Sequence, residues 1–148
     1  MDKIRVLVVD NEAVVREGLV AILQFYEDIE VVGQAEDGLQ AVEIAREKQP
    51  DVIMLDLVMP RQDGLTAIPQ IREVASQSRI LVVTSFADDD RVFQAIKSGA
   101  MGYILKDANR EQLLQAIREV NQGQAFLHPS IALRLINGAL LVQRDPLA

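Results

Sequence analysis

The stretch Val52-Ile53-Met54-Leu55-Asp56-Leu57-Val58-Met59-Pro60 decides how this chain is read. Its apolar run has strand length and reads as a strand buried on both faces, ending on a carboxylate instead of another hydrophobe. In an open parallel α/β sheet, ligands gather outside the carboxyl ends of the strands, so Asp56 stands where a site is expected. An Asp before Met-Pro is also an ordinary turn former. A second acid at the end of another apolar run favours the functional reading.

Working outward, strands and helices alternate. Ile4–Val9 is a strand pattern, followed by Asp10-Asn11-Glu12, residues of helix-capping and first-turn type. A helix is expected to begin there, carrying Val15, Leu19, Ile22 and Leu23 at helical spacing through about Phe25, with Arg16, Glu17 and Gln24 on other faces. Ile29–Ala35 reads as the second strand and Glu36-Asp37-Gly38 as the turn out of it. Leu39, Ala41, Val42 and Ala45 mark a second helix to Lys48, halted by Pro50. After the Asp56 strand, Arg61-Gln62-Asp63-Gly64 is a turn and Leu65–Ala75 a third helix. Pro69 is expected at its first-turn edge or at a bend, because a proline in a helix interior costs about 3 kcal/mol.

Arg79–Thr84 is the fourth strand, ending on a hydroxyl, and Asp88-Asp89-Asp90 brings negative charge to a helix N-terminus. Val92, Ala95 and Ile96 form the buried stripe of that helix up to Gly99. Gly102–Lys106 is a fifth strand ending on an amine, and Asn109–Asn121 a fifth helix with Leu113, Leu114, Ile117 and Val120 inward and Gly123 as its stop. Five β-α repeats select a doubly wound, five-stranded parallel sheet, with the flavodoxin-like order 2-1-3-4-5 expected. A last helical segment, about Ser130 to Val142, is apolar on several sides and therefore calls for partners on several sides: the domain body, a second copy, or a further domain.

With 148 residues, 49% apolar and 25% charged, the chain suits one domain with a short appendage. No run of about 18 apolar residues is present to cross a bilayer. The N-terminus runs at once into a strand, which leaves no room for a secretory signal. The absence of cysteine excludes disulfides and thiolate metal sites, in keeping with a cytoplasmic setting. A formal net charge of −7 argues against nucleic-acid binding by this chain itself.

The strand ends deliver Asp10-Asn11-Glu12, Asp56, Thr84 and Lys106 to one edge of the sheet. Carboxylates brought together repel unless a cation or proton intervenes, which makes the edge a natural seat for Mg²⁺. Mg²⁺ bound by one or two carboxylates also binds phosphate oxygens, so phosphoryl transfer is the matching chemistry. Asp56 is the best-placed nucleophile for an aspartyl phosphate, with Lys106 and the Thr84 hydroxyl placed to ligate phosphate oxygens.

On these residues the chain resembles the receiver domain of bacterial two-component response regulators over about residues 4–122. Val9-Asp10-Asn11-Glu12 is similar to the family's acidic pair, Leu55-Asp56-Leu57-Val58-Met59-Pro60 to its phosphoacceptor strand, and Asp63-Gly64 to the following turn. Thr84-Ser85 resembles its switch hydroxyl, and Gly102-Tyr103-Ile104-Leu105-Lys106 its switch aromatic and lysine. The wording of Ala13-Val14-Val15-Arg16-Glu17-Gly18 and Lys106-Asp107-Ala108 resembles the NarL/FixJ/LuxR-type branch.

The resemblance implies a receiver over residues 1–124 and a linker helix over 125–148, leading to a helix-turn-helix output domain absent from this chain. It implies phosphorylation of Asp56 by a cognate sensor histidine kinase and homodimerisation on phosphorylation. Output would be transcription regulation, with DNA contacted only through that missing domain and no membrane partner. No enzymatic role is implied beyond taking up and losing its own phosphoryl group. For the metal it implies Asp10, Asp56 and the Val58 main-chain carbonyl. Movement of Thr84 with reorientation of Tyr103 would then alter the face made by the fourth helix, fifth strand and fifth helix.

One departure stands out. Asn11 replaces the second acid of the pair, keeping an oxygen but losing a charge, so weaker Mg²⁺ binding is expected; Glu12 is close enough to compensate. A pseudo-receiver that only docks partners is the alternative, favoured by Asn11 and opposed by Asp56, Thr84 and Lys106. A phosphatase is disfavoured because Val58 stands where a general acid is needed, and no glycine-rich loop supports nucleotide binding. His128, ahead of Pro129 and distant in sequence from the acids, reads as a surface histidine. Phe93 and Tyr103 are candidates for a partner surface, with Phe93 balanced between that and partial core.

Overall fold

The structure is a computed structural model that describes residues 2–59, 62–85, 89–127, 129, 131–133 and 136–137. Strands β1 (Ile4–Val9), β2 (Ile29–Ala35), β3 (Val52–Leu55), β4 (Arg79–Thr84) and β5 (Gly102–Leu105) alternate with helices α1 (Ala13–Leu23), α2 (Gly38–Lys48), α3 (Gly64–Val74), α4 (Asp89–Ser98) and α5 (Arg110–Asn121). All pairings are parallel and the expected order β2-β1-β3-β4-β5 holds. The sheet is one strand wider than the five expected. The additional β6 (Phe126–Leu127) pairs with β5 through Gly102↔Phe126 and Tyr103↔Leu127. Two residues carry no period, so the pattern that reveals the other strands has nothing to show here.

The apolar runs follow from burial on two faces. Along β4, Ile80 and Val82 belong to the core shared with Ala41, Ile71 and Val92 of α2, α3 and α4. Leu81 and Val83 belong to the opposite core, with Leu23 of α1 and Leu113 and Ile117 of α5. All four residues of β3, in the middle of the sheet, are buried.

Helix ends follow from local chemistry. Asp63 caps α3, its carboxylate accepting the Thr66 N–H at 2.8 Å, and Asn109 and Gln112 form a reciprocal capping box at α5. After α4, Gly99 takes φ +120°, a value that favours glycine.

Helix α1 starts at the acidic cluster as expected, with Glu12 as its N-cap, although Glu12 makes no side-chain capping bond and the first turn holds no acid. Two local expectations need correction. Pro69 is the sixth residue of α3 and lies in its second turn, beyond the first-turn exemption, so the Leu65 carbonyl receives no N–H from it. Leu39 is half exposed instead of lining the α2 inner face.

In the C-terminal segment, Pro129, residues 131–133 and residues 136–137 are helical. Ile131 is fully buried in the same core as Tyr103 and Val92, whereas Leu133 and Ile136 are 59% and 57% exposed. His128, Pro60, Arg61, Asp88 and residues 138–148 lie outside the described residues. Among the described residues, no helix is long and apolar enough to cross a membrane.

Candidate functional site

The sheet register builds the site. Val9 and Leu55 are partners in the β1–β3 ladder, so the next residue of each strand, Asp10 and Asp56, lies at the same edge. The Asp56 N–H donates to the Val9 carbonyl at 3.1 Å. Gly64 lets α3 start directly beneath this point, its N–H donating to Leu57 at 2.9 Å. A Cβ at Gly64 would lie 2.5 Å from the Asp56 carbonyl oxygen. Asp10 is 1% and Asp56 4% exposed.

Lys106, one residue beyond β5, reaches both acids. Its main-chain N–H donates to the Thr84 carbonyl at 2.8 Å. The ammonium lies 2.8 Å from Asp10 Oδ2, 3.1 Å from Asp56 Oδ2 and 3.2 Å from Glu12 Oε1. The remaining oxygens are held from the main chain: Glu12 N–H donates to Asp10 Oδ1 at 2.8 Å and Val58 N–H to Asp56 Oδ1 at 3.3 Å.

Burial pushes the Asp56 carboxyl above the ordinary carboxylate range. The hydrogen bond and charge of Lys106 and the Val58 N–H oppose that rise, and the nearby Asp10 charge adds to it. Burial alone would lower the Lys106 ammonium. Its bonds to Asp10 and Asp56, the Asp56 charge and the Glu12 bond outweigh burial and hold it above its usual value.

One carboxylate oxygen from each of Asp10, Glu12 and Asp56 lies within 4.8 Å of the other two. This is a compact, all-oxygen donor set of the kind that fits Mg²⁺. Lys106 serves as its internal counter-cation. Beside it lies a cavity of about 170 Å³ walled by Asn11, Glu12, Asp56, Val58, Ser85 and Lys106. The structure thus gathers Asp10, Asn11, Glu12, Asp56, Val58 and Lys106.

Thr84 and Tyr103 stand apart from the cavity wall. Both are fully buried, and the Thr84 hydroxyl has no hydrogen-bond partner among the described residues. Tyr103 lies in the core beneath α4, inside the protein and not on a partner surface, while Phe93 is half-buried. Two residues make site contacts that their sequence positions did not reveal. Ser85, adjacent to Thr84, is the hydroxyl that actually walls the cavity, and adjacency at a strand end was its only signal. Arg16, assigned by periodicity to a polar helix face, folds back so that its Nη1 donates to the Asp10 carbonyl at 2.7 Å.

With this geometry in place, comparison with known proteins is decisive. The family model of the response regulator receiver domain matches residues 6–118. The chain belongs to that family. It is 42% identical over 134 residues to the transcriptional regulatory protein LiaR of Bacillus subtilis, covering 90% of this chain and 64% of that protein. A two-component response regulator of the LuxR family from Aurantimonas superimposes with a TM-score of 0.87 at 29% identity, covering 94% of this chain and 99% of the other. The receiver domain of the putative response regulator NarL from Mycobacterium tuberculosis gives 0.80 at 34% identity, covering 84% of this chain and all of that one. This receiver is thus of the LuxR/NarL type, and its fold supports phosphorylation-dependent signalling. The chain spans a little under two thirds of the curated relatives' length.

Proposed function

We propose that this receiver is a Mg²⁺-dependent switch phosphorylated on Asp56 by a sensor histidine kinase. The observation that carries the reading is one ammonium, Lys106, bonded to three carboxylates at the end of a buried strand. An Asp56 oxygen attacks the donor phosphorus, the bond from phosphorus to the donor's imidazole nitrogen breaks, and a mixed anhydride forms. Bound Mg²⁺ would supply charge screening for the phosphoryl oxygens. Asp10, Asp56 and the Val58 carbonyl would hold it, with Asn11 as a weakened oxygen ligand. Glu12, inside the carboxylate cluster, restores the charge that Asn11 lacks.

The protein's own groups do the rest. Lys106 swings from the carboxylates to a phosphoryl oxygen, and Ser85 offers a donor at the wall. A buried hydroxyl without a partner costs about 1–3 kcal/mol, so Thr84 gains by turning toward a phosphoryl oxygen. That movement frees space for Tyr103 and alters the α4–β5–α5 face. Ile131 shares a core with Tyr103, which gives the change a route into the C-terminal helix.

Residues 125–148 then act as the tether to a helix-turn-helix output domain. Through that domain, and through homodimers of the phosphorylated form, the protein would regulate transcription in the cytoplasm. Incubation with acetyl phosphate and Mg²⁺ should add one phosphoryl mass to the parent and none to Asp56→Asn; equal uptake by both would refute the reading. Backbone resonances of residues 84–120 should shift on phosphorylation, and a static set would refute the switch. A pseudo-receiver that only docks partners is favoured by Asn11 alone; it predicts no uptake at any Mg²⁺ concentration.

A further inference from the structure

Helix α1 has an unusual N-terminus. No acidic residue occupies its first turn, its N-cap Glu12 makes no capping bond, and Arg16, a cation, stands at its fourth position. A positive side chain near a helix N-terminus opposes the macrodipole and is ordinarily unfavourable. The half-buried Arg16 nevertheless turns back, and its guanidinium donates to the Asp10 carbonyl at 2.7 Å.

Asp10 is held from four sides. Its N–H donates to Ala35 at 3.0 Å, its carboxylate accepts from Glu12 N–H and Lys106, and its carbonyl accepts from Arg16. The first contact belongs to the sheet. Lys106 leaves in the phosphorylated form, and the Glu12 N–H lies within the turn itself. The Arg16 main-chain N–H also donates to the Glu12 carbonyl at 2.9 Å, a bond that any side chain at 16 would keep. The guanidinium is therefore the side-chain tie between α1 and the Asp10 carbonyl, and it does not depend on where Lys106 points. Because Asn11 contributes no charge, the placement of Asp10 and Glu12 matters more here than with two adjacent acids.

We infer that Arg16 is a positioning residue for the divalent-cation site: by clamping the Asp10 carbonyl it holds the β1–α1 turn so that the Asp10 and Glu12 carboxylates converge with Asp56. This rests on the reading of the acidic edge as a Mg²⁺ site. Its electrostatic consequence has a definite sign. Deleting a nearby cation would by charge alone tighten Mg²⁺ binding, whereas loss of positioning weakens it.

The test is calorimetric titration of the full chain with Mg²⁺, without phosphodonor, for the parent, Arg16→Ala, Arg16→Gln and Arg16→Lys. The amide resonance of Glu12, whose N–H is bonded to Asp10 Oδ1, is followed in the metal-free proteins. Arg16→Ala should weaken Mg²⁺ five- to tenfold and displace the Glu12 resonance. Arg16→Lys, which keeps a long donor, should recover most of both, and Arg16→Gln little. At saturating Mg²⁺ the acetyl phosphate reaction of Arg16→Ala should return to within about twofold of the parent.

Unchanged or tighter Mg²⁺ binding by Arg16→Ala, or a stationary Glu12 resonance, overturns the inference. Should Arg16→Ala not fold, a lysine variant that folds but binds Mg²⁺ no better than Arg16→Gln overturns it as well. A parent that binds no Mg²⁺ would instead sink the metal-site reading, and the Glu12 resonance would still decide whether Arg16 sets the turn.

Discussion

Lys106 and a divalent cation compete for the same oxygens, and Lys106→Met separates them. The substitution keeps an apolar stem and removes the ammonium that lies 2.8–3.2 Å from Asp10, Glu12 and Asp56. The cluster changes from three negative charges and one positive to three negative charges alone. A divalent ion about 4 Å from a unit positive charge is repelled by about 2 kcal/mol even at the dielectric constant of water, which corresponds to roughly thirtyfold in affinity. Calorimetric titration should therefore show Mg²⁺ binding about thirtyfold tighter in Lys106→Met than in the parent. In EDTA the variant's three acids lack their counter-cation, so it should melt below the parent. Added Mg²⁺ should raise its melting temperature more than the parent's, since binding to the folded form alone stabilises it. Phosphoryl uptake should nevertheless fall, for want of a cation on the phosphoryl oxygen. Affinity equal to or weaker than the parent's would refute the idea that Lys106 is the resident counter-ion.

Ile131 is fully buried, so Ile131→Ala should cost about 2–5 kcal/mol in denaturant unfolding; Leu133→Ala and Ile136→Ala, on exposed positions, should stay within about 0.5 kcal/mol. Gly64→Ala would place a Cβ 2.5 Å from the Asp56 carbonyl, so it should slow phosphoryl uptake and lower stability together, as read by intact mass and thermal melting. The raised Asp56 carboxyl fixes the sign of a pH profile. Only its ionised form attacks, so uptake from acetyl phosphate should fall on acidification, and in the metal-free protein the Asp56 carboxyl should titrate above the ordinary Asp range when followed by side-chain NMR. The same shift makes this group's contribution to stability complete at low pH and lost as pH rises through its folded-state pKa.

Much of the fold and of the acidic edge is legible in the sequence. Buried strand interiors read as apolar runs at Val52–Leu55 and Ile80–Val83, and the helix stops at Gly99 and Gly123 followed from positive-φ backbone. The acidic edge was legible because parallel topology sends every strand's carboxyl end to the same side.

What escaped has physical causes. β6 is too short for a period, and its pairing depends on β5 lying beside it. Pro69 was placed by local rules that α3 overrides through the packing of Ala67, Ile68 and Ile71 into the core. Arg16 looked solvated because periodicity assigns a face and not the reach of a long side chain. Thr84 ends β4 fully buried, whereas Ser85 just beyond the strand is exposed at the cavity, so two adjacent hydroxyls in sequence did not say which of them faces it.

The most direct measurement is reductive trapping of the acid-quenched product after treatment with acetyl phosphate and Mg²⁺. Borohydride converts an acyl phosphate to an alcohol, so peptide mass spectrometry should find homoserine at residue 56 and unmodified acids at Asp10 and Glu12. Homoserine at another position, or an unreduced Asp56 in a protein that carries phosphoryl mass, would contradict the account.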